Sequence, residues 1–171
     1  YADLPDEHVP DWLGAVYDAQ YPPSYREISG VLDEFRQELD GTQFAGLPEL
    51  GRRMLARDGA LALADTLERD TVMSEMMGDC LRPLLSTAPD LHKLEACRAA
   101  LADHEFEKAV LFVDRVCVAE RLAEELDVYN PEVLLGRLHS STGAQKQLVE
   151  NAKSDETDLV IATAAGEEGI D

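Results

Sequence analysis

The chain has 171 residues, 45% of them apolar, enough for one ordinary domain or for two small pieces of a larger protein. No apolar run approaches the ~18 residues of a membrane helix, and the first residues lack the basic, apolar, small-residue pattern of a secretory signal. The expectation is therefore a cytoplasmic chain without membrane contact. Since the sequence opens on Tyr1 rather than Met, its true N-terminus is expected elsewhere.

Residues 1 to about 105 read as helices. Trp12 and Tyr17 lie on a possible first helix, packed under the next. Tyr21-Pro22-Pro23 breaks the chain. Ser24 with Glu27 three residues later has the form of a capping box, and Ile28, Val31, Leu32, Phe35 and Leu39 follow at helical spacing up to Gly41. A second helix is predicted from Leu47 to Arg57, ending near Gly59. A third runs from Ala60 to about Leu85 and carries Met73, Met76 and Met77, which read as core. Thr87-Ala88-Pro89-Asp90 interrupts it. A fourth spans about Asp90 to His104, with Leu91, Leu94, Cys97 and Leu101 on one face.

The rhythm changes after residue 105. Ala109–Val113 is a short continuous apolar run, the pattern of a parallel strand covered on both faces. Residues 116–127 read as an amphipathic helix, 133–135 as a strand, 143–154 as a helix and 159–162 as a strand. A β-α-β-α-β order implies a parallel sheet with right-handed crossovers. Ligands of such sheets gather at the C-terminal strand ends, which here deliver Asp114-Arg115, Gly136-Arg137 and Thr163-Ala164 to one edge.

Asp and Glu total 35 against 15 Lys and Arg, for a net charge of −20, and only four of the cations are lysines: Lys93, Lys108, Lys146 and Lys153. The acidity is spread along a chain with aromatics and apolar periodicity, unlike a disordered acidic tail. Two readings stand: an acidic surface for basic partners, or an acidic surface of the halophilic kind. Few lysines with arginines retained fit the second better. Cys80, Cys97 and Cys117 show no C-x-x-C spacing and read as reduced, buried thiols. The four histidines are scattered, so no metal site is expected.

The most informative stretch is Thr163–Asp171, TAAGEEGID: a strand end, two glycines three apart, two carboxylates and a terminal Asp. A Thr hydroxyl and backbone N–H groups at a strand end suit phosphate contact. Gly166 and Gly169 allow tight turns and close backbone approach, and Asp171 can accept from a ribose hydroxyl. Taken alone, the loop is also compatible with an ordinary βα turn.

VLFVDRVCVAERLAEEL (Val110–Leu126) followed by DLVIATAAGEEGID (Asp158–Asp171) resembles motifs IV and V of superfamily 2 helicases, in order and at matching separation. The Glu-Glu-Gly form is similar to the branch of archaeal Hef helicases, Fanconi anaemia M translocases, and the RIG-I-like and Dicer helicases. The helical first half, with DLP at Asp3–Pro5 and LHKLEACRAAL before the motif IV strand, resembles the helical insert of Hef-like proteins.

The resemblance implies an α/β fold class: an all-α helical insert at residues 1–90, then the N-terminal part of a second RecA-like parallel-sheet domain at 91–171, from a haloarchaeal protein. It implies an ATP-dependent helicase or translocase acting on nucleic acid, DNA favoured over RNA, in repair of forked or branched DNA. ATP and Mg would serve as cofactors, and the first RecA-like domain of the same protein would be a partner. Thr163, Asp114, Arg115, Gly136 and Arg137 would meet the nucleic-acid backbone, and Gly169 and Asp171 the nucleotide. Arg115 and Arg137 could equally be surface ion-pair partners. No catalytic residue is assigned, because Glu167 and Glu168 fall outside the ATP-activating position of this family. The chain departs from the family at Ala152, where Phe is usual, and at Asp155, where Gly is common. It has no G-x-x-x-x-G-K-[ST] loop, no DExD/H box and no motif VI, so the chain alone should not hydrolyse ATP. The alternative is a non-catalytic acidic helical interaction module derived from a degenerate helicase.

Overall fold

A computed structural model describes residues 21–103, 106–134, 147 and 150–163. It has a helical half built from α1 (Pro23–Glu38), α2 (Gly46–Asp58), α3 (Ala60–Arg69) and α4 (Thr71–Leu85). Helix α5 (Leu94–Asp103) leads into β1 (Ala109–Val113), α6 (Val116–Glu125), a 3-10 turn at Asp127–Tyr129, β2 (Pro131–Leu134) and β3 (Leu159–Thr163). The fold is therefore mixed α/β, with helices first and a small parallel sheet after them.

Helix α1 starts at Pro23, one residue before the expected cap, and no side chain caps it. Proline at the first helical position has its φ already set and lacks only an N–H that would be unpaired anyway. The expected third helix is two. Asp70 takes an extended conformation and its carboxylate accepts from Met73 N at 3.0 Å, so it caps α4 and ends α3. The fourth helix begins at Leu94 rather than Asp90, because residue 90 is engaged elsewhere: Asp90 O accepts from Leu61 N at 3.2 Å.

The helical core gathers Tyr25, Ile28 and Leu32 from α1, Met54 and Leu55 from α2, Leu63 and Leu67 from α3, and Met73, Met77 and Leu81 from α4. Of the three methionines expected in the core, Met73 and Met77 are buried in it and Met76 is partly buried against it. Gly51 lets α2 approach α1 closely, since a Cβ there would lie 3.1 Å from Leu32 Cδ2. Gly30 has no such reason to be glycine. It is an exposed position inside α1 and a Cβ there meets nothing within 4 Å. Gly30→Ala is expected to raise stability by about 0.5–1 kcal/mol, through the entropy that glycine loses in a helix, read as a higher urea midpoint at unchanged slope.

The three strands lie in the order β1-β3-β2, all parallel, with Val113 opposite Thr163 and Leu134 opposite Ala162. β3 is central and buried throughout. A second core joins Leu159 and Ile161 of β3 to Val118, Ala119 and Leu122 of α6. β1 departs from expectation. Among the described strands it is an outer one, as is β2, and it is covered on one face only: Val110 is 50% and Phe112 67% exposed. The continuous apolar run of Ala109–Val113 thus belongs to a strand whose second face is open. Lys108 does not guard that face, because its Nζ donates to Ala152 O at 2.6 Å and Ser154 O at 2.9 Å.

The halves are joined by more than the linker. Ala62, on α3, is fully buried in the second core, while its neighbour Leu63 is buried in the first. Arg121 of α6 reaches Asp90, in the segment after α4, at 3.3 Å. Cys97 and Cys117 are partly buried, but Cys80 is exposed, contrary to the expectation of three buried thiols. Among the described residues no helix is long and apolar enough to cross a membrane.

Candidate nucleic-acid interface

Parallel pairing in register brings the C-terminal ends of the strands to one edge. Because Val113 faces Thr163 and Leu134 faces Ala162, the last residues of β1, β3 and β2 lie side by side. Of the expected site residues, Asp114, Arg115 and Thr163 are described; Gly136, Arg137, Gly169 and Asp171 lie outside the described residues. Thr163 ends the central strand and is 1% exposed.

Asp114 and Arg115 form the loop between β1 and α6. Arg115 is the N-cap residue of α6, in extended conformation, and no side chain caps that helix. Both side chains turn to the helical half. Asp114 Oδ2 lies 3.1 Å from Arg57 Nε, and Arg115 Nε lies 3.8 Å from Asp58 Oδ2. Arg115 Nη2 also contacts Met54 Sδ at 3.1 Å. The ion-pair role left open for Arg115 is thus present. Arg57 carries the charges of both Asp58 and Asp114 beside it, and its hydrogen bond to Asp58 above all holds its pKa above the ordinary arginine value.

Sequence reasoning missed Arg57, Asp58 and Met54. All three lie at the end of α2, far along the chain from the loop they touch. The one available signal is order of charge: Arg-Asp at 57–58 against Asp-Arg at 114–115. Without a placement of α2 against that strand end, the complementarity has no spatial meaning.

Two cavities flank this loop. One, of about 650 Å³, opens between the α3–α4 corner (Asp65, Arg69, Thr71) and the start of α6 (Arg115, Cys117). The other, about 230 Å³ and mostly apolar, lies between the residue 91–97 segment and β1, with Arg57, Asp58 and Asp114 at its rim. Burial pushes the Cys97 and Cys117 thiols up, so neither is a ready thiolate nucleophile. Burial likewise lowers the His92 pKa, favouring the neutral ring, which stands 5.1 Å from the Tyr25 ring. Among the described residues no group of three or more His, Cys, Asp or Glu side chains could hold a metal ion. What the edge offers chemically is arginine and backbone N–H donors for an anion. No protein-family model matches the chain, and no curated protein sequence matches it.

Proposed function

We propose that the chain is part of an ATP-dependent nucleic-acid helicase or translocase acting on DNA, with the strand-end edge of the sheet as a grip on one strand's phosphates. The observation that carries this reading is the side-by-side placement of the β1 and β3 ends, the segments that resemble motifs IV and V. A strand of phosphates needs donors spaced along one edge. Arg115 supplies a guanidinium there, and Thr163 ends the adjacent strand. The large cavity beside Arg115 gives a backbone room to approach. The net charge of −20 opposes non-specific polyanion binding, so contact rests on local cations rather than on the field of the whole chain.

Forked or branched DNA as substrate, a role in repair, a cytoplasmic location, a haloarchaeal source, and a helical insert followed by a partial second RecA-like domain belong to the same proposal. So do ATP with Mg, and a first RecA-like domain as partner. Gly169 and Asp171 would line the nucleotide. The chain carries no G-x-x-x-x-G-K-[ST] loop, and no phosphate-cleaving step is assigned to its residues.

The test is ATP hydrolysis by the intact protein, with and without single-stranded, forked and RNA oligonucleotides. Stimulation by DNA, strongest with forks, is expected, and the 171-residue chain alone should hydrolyse nothing. An intact protein whose hydrolysis ignores nucleic acid would sink the helicase reading and favour an acidic interaction module.

A further inference from the structure

Two consecutive residues at the end of α2 meet two consecutive residues after β1, and their charges alternate in space: Asp114, Arg57, Asp58, Arg115. Asp58 sits at the centre. Its side chain is only 6% exposed, far less than those of its three neighbours. A carboxylate this enclosed requires paired, hydrogen-bonded cations. The two arginines hold it unequally. Arg57 binds it in a two-point fork, Nε to Oδ1 at 2.9 Å and Nη2 to Oδ2 at 3.0 Å. Arg115 Nε stands 3.8 Å away, a charge contact beyond hydrogen-bond distance. Arg57 therefore anchors Asp58 by hydrogen bonds to both its oxygens, and Arg115 is steered by its charge without being consumed.

The rest of the Arg115 environment agrees. Met54 Sδ touches its Nη2 at 3.1 Å, which restricts the guanidinium from a second side. Arg115 lines the cavity of about 650 Å³ between the α3–α4 corner and the start of α6. An arginine has many rotamers to lose on binding, so holding it in place beforehand favours association.

We propose that Asp58 is a positioning residue for nucleic-acid binding: from the end of α2 it orients the Arg115 guanidinium toward this cavity, so that the helical half aims the cation that receives a phosphate. This rests on the nucleic-acid reading above. It also predicts a result opposite to simple electrostatics, since removing a negative charge beside a phosphate site would ordinarily strengthen binding.

The experiment is binding of a fluorescent single-stranded oligodeoxynucleotide to the intact protein, measured by anisotropy over a range of salt. Arg115→Gln should weaken binding about tenfold and flatten the slope of log K against log salt by about 0.7, one phosphate contact on a single strand. Asp58→Asn should weaken binding by a similar factor while leaving the slope unchanged, because the cation is still present. Asp58→Glu should restore most of the affinity, and the double variant Asp58→Asn/Arg115→Gln should bind no worse than Arg115→Gln alone. Arg115→Lys, which keeps the charge but lacks the Nε that faces Asp58, gives a second route if Asp58→Asn does not fold: reduced affinity at unchanged slope is expected. Wild-type affinity or tighter in Asp58→Asn or Arg115→Lys, or additive losses in the double variant, overturns the positioning role. No binding by the unaltered protein overturns the nucleic-acid reading itself.

Discussion

Gly59→Ala is expected to destabilise the chain by about 3–5 kcal/mol, enough to unfold a marginal domain. Gly59 joins α2 to α3 with φ 95° and ψ 179°, a region almost closed to residues with a side chain. Space is no better than conformation. A Cβ would lie 2.4 Å from Asp90 O, which is backbone and cannot swing aside, and 3.2 Å from the Tyr25 hydroxyl. The strain and the clash act together at the point where the α2–α3 corner meets the residue 89–91 segment. Urea unfolding followed by circular dichroism would read the loss. A change below about 1 kcal/mol would show that the corner relaxes freely, against both arguments.

Tyr25→Phe is expected to cost about 2–4 kcal/mol, from one oxygen atom. The hydroxyl accepts from Ala60 N at 2.7 Å and donates to Pro89 O at 2.6 Å, tying α1 to the start of α3 and to the linker. The side chain is fully buried. Phenylalanine preserves the packing and leaves a buried donor and acceptor unpaired, each worth about 1–3 kcal/mol. A pH dependence follows from the same burial. Desolvation chiefly pushes the Tyr25 pKa up from 10.0 to about 12, despite the opposing hydrogen bond from Ala60. Between these values the unfolded chain has given up the proton and the folded one keeps it. Stability from this group is whole below pH 10, falls as pH rises, and is lost through pH 12, by roughly 2–3 kcal/mol in all. Comparing wild type with Tyr25→Phe across that window isolates the effect from other titrating groups. Parallel curves would show that Tyr25 ionises as freely folded as unfolded.

Local signals carried most of the helical half. Pro22-Pro23, Gly41 and Gly59 mark ends that are real, and the apolar spacing of Ile28, Leu32, Leu63 and Leu67 matches the buried face. The failures share a cause. The α3–α4 break at Asp70 has no glycine or proline. The late start of α5 follows from the contacts of Asp90 O with Leu61 N and the Tyr25 hydroxyl, partners that local sequence does not specify. The sheet was legible as parallel, because runs of helical periodicity separate its strands in the sequence, but strand order was not. A run such as Ala109–Val113 reads alike whether central or outer. The site was legible to the same depth: the strand ends could be found, and the helical residues packed against them could not, since Arg57 and Asp58 become informative only when the end of α2 is placed beside the β1–α6 loop.

The open side of β1 gives the acidity a second meaning. In a parallel ladder alternate residues point their N–H and C=O groups outward, so Val110 and Phe112 combine exposed side chains with backbone groups aimed off the sheet. Bare edges of this kind invite self-association. Mutual repulsion between copies of charge −20 opposes it, with a reach of about 10 Å at 0.1 M salt, twice the ~4.8 Å spacing of paired strands. At 1 M that reach shrinks to about 3 Å, inside the strand spacing. In concentrated brine, colloidal protection of this edge passes from long-range repulsion to the water held by the carboxylates themselves.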